Sequence, residues 1–452
     1  TDSLKSNGEG LVYSNISYGG MSGGAVLDSE GRLVGINTSA ENEVQIDDEG
    51  NYEQLSLGNS LGVPIQDFLG FVEKGKMQLK PQWLQIETNP TSEITEADIA
   101  SIREQLLTTT EPSVDAGGVA AWMNYGNQLW RYGKFTEAVT AFEKVIAINP
   151  EFDKAYYAMG LACWYQGEFP QGVVALKQAV EINPSPYYYW RYLGYSYRAL
   201  EKYAEALAAY ETAISKNSED FVLYVERGDV LNKSEDYQGA LKSYTQAIEL
   251  NSEHPWAYHN RGVAYAHLKQ YERALADYNR AIEIAPQYAD VYTNRGVAYA
   301  HLKQYERALA DFTQTIEINP QDAKAYYNRG LTYYELKQYE MVIADYTKAI
   351  EINPQYADAY NNRGNIYQNL KQYDKAIADY TQAIEINSQY ANAYNNRGNI
   401  YQNLKQYDKA IADYTQAIEI NPQYANAYNN RGLAYSDLKQ YEKAVVDYNQ
   451  AL

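Results

Sequence analysis

A single serine set among glycines, Gly19-Gly20-Met21-Ser22-Gly23-Gly24, is the stretch of this 452-residue chain best built for covalent chemistry. Glycines on both sides let the backbone turn sharply and bring N–H groups close to a reacting oxygen. A serine nucleophile needs a base to take its proton, and the base needs a carboxylate to orient it. Only 21 residues precede Ser22, and none is a histidine. The four histidines, His254, His259, His267 and His301, stand far along the chain. With no base in its own segment, the serine is expected not to catalyse in this chain.

A second chemistry recurs at a fixed interval. Asn260, Asn294, Asn328, Asn362, Asn396 and Asn430 are spaced 34 residues apart. A side-chain amide both donates and accepts, so such a row can pair with the backbone of an extended peptide whatever its side chains. The same amides can instead bond to the adjoining repeat, and spacing alone leaves both readings open. Asn361, Asn365, Asn369, Asn395, Asn399, Asn403 and Asn429 add further amides, while Lys and Arg are scarce at these positions. Each ladder asparagine is followed by an arginine (Arg261, Arg295, Arg329, Arg363, Arg397, Arg431). Each arginine has an aspartate sixteen residues on (Asp277, Asp311, Asp345, Asp379, Asp413, Asp447). Where the first site is Tyr125, Met159 or Leu193, the second is Ala141, Ala175 or Ala209; Arg227 with Ser243 is the exception. Sites that change together predict a bidentate Arg–Asp pair across two helices. His267 and His301 hold equivalent places and read as solvated. The lone Cys163 reads as a small buried residue and excludes an internal disulfide. No CxxC, P-loop or His-Glu-x-x-His pattern is present, and no cofactor or metal is expected.

The elements that position these groups share one 34-residue unit. Gly126, Gly160, Gly194, Gly228, Gly262, Gly296, Gly330, Gly364, Gly398 and Gly432 mark its register. An aromatic stands four residues before each glycine and another nine after it; twelve after it is a small residue, with Gly172 and Val342 the departures. Such spacing predicts two helices per unit. Glycine costs helix stability, so the expectation is close approach of the second helix, with its alanine making the gap. Asn-Pro pairs such as Asn319-Pro320 predict where the second helix stops. This pattern resembles the tetratricopeptide repeat (TPR). The resemblance implies a mainly α fold, a right-handed α-solenoid of ten helical hairpins over residues 119–452, the last truncated. It also implies first helices on a concave groove that takes other proteins or extended peptides; the asparagine ladder is similar to that of O-GlcNAc transferase. Residues 359–392 and 393–426 differ only at Ser388 and Pro422, so the groove presents one surface twice.

Residues 1–75 follow a different grammar. Gly10–Tyr13, Ala25–Leu27, Leu33–Ile36 and Leu61–Ile65 read as strands, Glu41–Gln54 as an acidic surface loop, and 66–73 as a short helix. The serine motif with Gly31-Arg32-Leu33-Val34-Gly35-Ile36-Asn37 resembles the carboxy-terminal part of a trypsin-like serine protease, of the HtrA-like and cyanobacterial kind. That resemblance implies a small, incomplete trypsin-like β-barrel segment ahead of the solenoid. It makes Ser22 the nucleophile, the N–H groups of Gly20 and Ser22 the oxyanion hole, and Ile16 the base of an apolar specificity pocket. Residues 76–118 read as a linker with one helix, from Thr95 to about Leu107. Thr1 opens the chain and Leu452 falls inside a second helix, so both ends look cut. Two functions are consistent with these features: a TPR scaffold attached to a trypsin-like endopeptidase, of which this is a fragment, or a non-catalytic TPR scaffold with a degenerate protease remnant. A net charge of -20 argues against a nucleic-acid partner. No stretch is long and apolar enough to span a membrane; the HtrA-like resemblance alone suggests an extracytoplasmic setting.

Overall fold

The computed structural model describes residues 111–112 and 118–452 with their side chains, and the backbone of six short strands between residues 11 and 64. The chain divides into two compact units, residues 1–234 and 235–452. Twenty α-helices fill the described residues from Val119 onward. In the first unit they are α1 (Val119–Arg131), α2 (Phe135–Ile148), α3 (Asp153–Gln166), α4 (Phe169–Ile182), α5 (Tyr187–Ala199), α6 (Tyr203–Lys216) and α7 (Phe221–Lys233). The second unit holds α8 (Tyr237–Leu250), α9 (Pro255–His267), α10 (Tyr271–Ile284), α11 (Ala289–His301), α12 (Tyr305–Ile318), α13 (Ala323–Glu335), α14 (Tyr339–Ile352), α15 (Ala357–Asn369), α16 (Tyr373–Ile386), α17 (Ala391–Asn403), α18 (Tyr407–Ile420), α19 (Ala425–Asp437) and α20 (Tyr441–Ala451). Within each unit every helix packs on the next, so hairpin stacks on hairpin.

The turn inside each hairpin is a left-handed cap. In the α9–α10 turn Lys269 has φ 58°, and the N–H of Gln270 reaches back to the carbonyl of Tyr265 at 2.9 Å. This six-to-one bond closes a Schellman motif and satisfies a carbonyl that the helix end would leave open. The turn between hairpins is an Asx turn: the Asn319 side chain accepts from the N–H of Gln321 at 3.2 Å, and Asn387 from Gln389 at 3.0 Å. Ala285 takes this place between α10 and α11 with nearly the same backbone, φ -131° and ψ 81° against -130° and 88° at Asn319, so the path does not depend on the asparagine there, nor on the proline where Ser388 replaces it.

The register glycine does meet the second helix closely; what a Cβ there would strike first is a large side chain sixteen residues on, while a Cβ at the small residue twelve on, Gly172, would lie 3.3 Å from the Gly160 carbonyl. A Cβ at Gly364 would lie 2.8 Å from Cε1 of Tyr380, sixteen residues on. Phe142, Leu176, Tyr210, Tyr278, Phe312, Tyr346, Tyr414 and Tyr448 stand in the same way over their own glycines. The alanines twelve residues after the glycines, such as Ala376, are buried in the hairpin interior as well.

The expected trypsin-like β-barrel segment is corrected. The six strands, Leu11–Val12, Ala25–Leu27, Leu33–Asn37, Glu43–Ile46, Tyr52–Leu55 and Leu61–Pro64, number two to five residues each. Labelled β1 to β6 in that order, four form a sheet in the order β1-β6-β3-β2, and β4 and β5 form a separate ribbon. Among the described residues the edge strands β1 and β2 do not pair with each other and no ring of strands closes, whereas a barrel is built of staggered pairs around a ring. The fold that the chain builds is the helical array. The acidic stretch expected as a loop contains the β4–β5 ribbon, where Val44 and Ile46 alternate with polar residues as a strand requires. The helices expected at 66–73 and 95–107 lie outside the described residues, as do Ser22, Gly20 and Ile16.

Candidate functional site

The six ladder asparagines sit on the first helices of the second unit, all half-buried. Four of these amides reach backward to the preceding first helix. The Nδ2 of Asn430 donates to Asn395 Oδ1 and Asn399 Oδ1, both at 3.0 Å. That of Asn396 donates to Asn361 Oδ1 at 3.3 Å and Asn365 Oδ1 at 3.1 Å. Asn362 donates to the Tyr327 hydroxyl at 2.9 Å. Asn294 donates to Nε2 of His259 at 2.8 Å. The offsets are constant: 35 residues back, and in the last two repeats also 31 back. Of the two readings open in the sequence, the bond to the adjoining repeat is present in these four; the groove reading rests on the surface that the amides leave open to solvent.

From beneath, the tyrosine that packs under the glycine joins the same layer. The Tyr380 hydroxyl lies 2.7 Å from Asn365 Oδ1 and 2.8 Å from Gln368 Oε1. Tyr414 repeats this at 2.8 Å from Asn399 Oδ1 and 2.9 Å from Gln402 Oε1. The phenol thus tethers first-helix amides to the second helix, and the missing glycine Cβ gives its ring the room. Above this floor Asn369, Asn392, Asn403 and Asn429 are exposed.

His259 shows how an imidazole fits a seat held elsewhere by asparagine. Because Nε2 accepts from Asn294, Nδ1 carries the proton and donates to the Tyr288 hydroxyl at 3.0 Å. Burial pushes this imidazole down to about 4.

The first unit uses the same geometry with charges. Glu226 occupies the ladder place before Gly228 and accepts from Arg191, 35 residues back, through Nη2 at 2.9 Å and Nε at 3.1 Å. The Tyr195 hydroxyl, 31 back, donates to the same carboxylate. Burial raises the Glu226 carboxyl above its ordinary range, with Arg191 pulling the other way. Reading the ladder only from Asn260 missed this pair; an acid at the ladder place and a base 35 residues earlier were its signal.

The Arg–Asp pairs bridge the two helices of each hairpin as expected. Arg363 donates through Nε to Asp379 Oδ2 at 2.8 Å and through Nη2 to Oδ1 at 2.7 Å, and the other five match it within 0.1 Å. A third bond joins neighbouring hairpins: Arg363 Nη1 donates to Thr347 Oγ1 at 2.9 Å, on the second helix of the hairpin before. Asn279 takes the threonine's place for Arg295 at 2.7 Å. Each arginine also lies over the aromatic three residues before it, as Arg363 does over Tyr360 at 5.7 Å. Burial opposes the charge on Arg363, but its bonds to Asp379 outweigh it and raise its pKa. His267 and His301 stack on Tyr237 and Tyr271 at 4.6 and 4.8 Å. Cys163 is buried, and burial pushes its thiol up to about 11, which leaves it inert as a nucleophile.

Comparison with known proteins places the array. A tetratricopeptide repeat family model matches residues 255–288, 289–322, 323–356, 357–390, 391–424 and 425–452. Two related models match 126–167 with 228–269, and 157–220. Comparison with curated proteins gives no match. Among solved structures, a tetratricopeptide repeat protein from Parabacteroides merdae is similar at 22% identity over 55% of this chain and 98% of its own, TM-score 0.44. MamA is similar at 26% identity over 36% and 90%, TM-score 0.34. YrrB, described as a TPR protein with an unusual peptide-binding site, is similar at 25% identity over 41% and 96%, TM-score 0.35. The family matches begin at residue 126 and together cover most of the chain from there to Leu452. This chain belongs to the tetratricopeptide repeat family.

Proposed function

We propose that this chain is a non-catalytic scaffold whose first-helix face holds extended polypeptide segments along residues 255–452. As a TPR array it is a scaffold for protein–protein interaction; the peptide in the groove is the finer reading. One observation carries it. On α15 and α17 the exposed residues Asn369, Asn392 and Asn403 share the helix face of half-buried Asn362 and Asn396 by helical spacing. Such a surface can donate to peptide carbonyls and accept from peptide N–H groups without choosing side chains. The row Asn260, Asn294, Asn328, Asn362, Asn396 and Asn430 would form its floor. Residues 1–75, 76–118 and 119–452 serve as the working division of the chain.

The test is an unbiased screen of extended peptides by fluorescence anisotropy, followed by Asn369→Ala, Asn403→Ala and Asn429→Ala together. The triple variant is expected to bind the selected peptides at least about tenfold more weakly with unchanged helicity. Selected peptides that bind the variant equally well would remove the groove reading. For the non-catalytic part, a fluorophosphonate probe is expected to leave the chain unlabelled. Labelling that disappears in Ser22→Ala would overturn it.

A further inference from the structure

The two ends of each hairpin in the second unit carry opposite rows of charge. In the turn after the first helix stand Lys269, Lys303, Lys337, Lys371, Lys405 and Lys439, all exposed and all with φ between 57° and 61°. At the other end of the second helix, roughly 20 Å away for 14 residues, Glu283, Glu317, Glu351, Glu385 and Glu419 stand exposed in the last turn. Each row has one member per repeat, so the two rows share one 34-residue period.

Stability explains neither row in full: the lysine charge suits the C-terminus of the first helix that it follows, but its backbone seat does not suit a Cβ, and the glutamate charge opposes the dipole of its own helix. The left-handed seat suits glycine, which the chain itself uses at Gly133 and Gly167 with φ 75° and 80°. A glutamate at a helix C-terminus opposes the dipole, which favours cations there, and none of these five helices has a basic residue in its last turn. Local partners only partly offset the acids: Arg280 meets Glu283 and Lys348 meets Glu351, each at 3.1 Å in exposed pairs. The lysine edge also holds an acid and, four residues after each lysine, a second cation, except that Met341 replaces the cation in one repeat. Its balance stays positive.

We propose that these edges are complementary docking faces for a second copy of this chain, the lysine row of one against the glutamate row of the next, repeat for repeat. The two rows carry opposite charge on one common period. With a net charge of -20, two copies repel in general, and a contact made at several points in register is what overcomes that repulsion. Because the faces differ, the contact is heterologous and continues from copy to copy. It lies apart from the groove and does not depend on the peptide reading.

Sedimentation velocity of the whole chain tests this at about 10 mM salt, where screening reaches roughly 30 Å, and at about 1 M, where it reaches roughly 3 Å. Association is expected at low salt and monomer at high salt. Replacing the six lysines by glycine removes the charge and suits the backbone, so the variant folds at least as well; it is expected to be monomeric at both. A Lys→Glu set and a Glu→Lys set, each impaired alone, are expected to associate when mixed. Wild type that is monomeric at low salt, or association that survives in the Lys→Gly protein, would overturn the proposal.

Discussion

A lysine held at φ 57°, as Lys371 is, occupies a backbone region that a Cβ disfavours. Replacing it by glycine is expected to raise the unfolding free energy by about 1 kcal/mol, because the left-handed seat is retained and the steric cost is not. Urea denaturation measures this, and a loss of stability would contradict it. The second residue with a measurable signature is His259. Its folded pKa of about 4 lies below the ordinary 6.5, so its contribution is complete above 6.5 and lost as pH falls toward 4. The size is roughly 3 kcal/mol, from the gap between the two values. His259→Asn installs the residue that Asn361 and Asn395 provide at the same place in later repeats. The stability of wild type minus that of the variant is therefore expected to fall by that amount from pH 7 to pH 4. A difference that does not vary with pH would show that the imidazole is not held neutral. No sequence pattern marked this histidine: its seat became visible only when residues 35 apart were seen to bond.

At the scale of the hairpin, the 34-residue period made helices, turns and the Arg–Asp pairs legible, because each is set by residues at a fixed offset. The reason for the glycine was not, since a face that lacks a Cβ does not name what fills it. Gly364→Ala puts a methyl 2.8 Å from a ring atom of buried Tyr380, and the ring cannot retreat. Overpacking of that kind costs about 1–3 kcal/mol, against which alanine's helix propensity returns about 1. The expected net is a destabilisation of about 1–2 kcal/mol in chemical denaturation; a stabilised protein would mean that the hairpin opens freely. The Arg363–Asp379 pair gives a sharper contrast. Asp379 has a side chain only 8% exposed and Arg363 only 14%, so removing one partner strands a charge. Arg363→Met alone is expected to cost about 3–5 kcal/mol, while Arg363→Met with Asp379→Leu comes back to near neutral. Equal losses in the single and the double variant would show that the pair contributes net stability rather than register.

Across the molecule, the legibility of each feature in the sequence depends on how often its signal is written. Ten copies of one grammar specify an array, since every repeat supplies the face its neighbour buries. The glycine–serine stretch occurs once and dictates only a local turn, while a barrel depends on strands pairing around a full ring. That difference is why the helical reading carried over and the barrel did not. The same repetition makes a whole-molecule prediction. Deleting residues 393–426 joins Asn392 to Ala427 in place of Ala393 without changing any contact type, because 359–392 and 393–426 differ only at one position. Asn430, which now donates to Asn395 and Asn399, would find Asn361 and Asn365 at the same offsets, the partners that Asn396 now has. Arg431 keeps Asp447 and exchanges Thr415 for Thr381, which today receives Arg397. If stability is a sum of repeat and nearest-neighbour terms, the shortened chain loses one of each and nothing more. Its helical signal per residue in the array is expected to stay constant, and its unfolding free energy to fall by the increment of one repeat. A chain that aggregates or melts without a cooperative transition would show that the repeats are coupled beyond their neighbours.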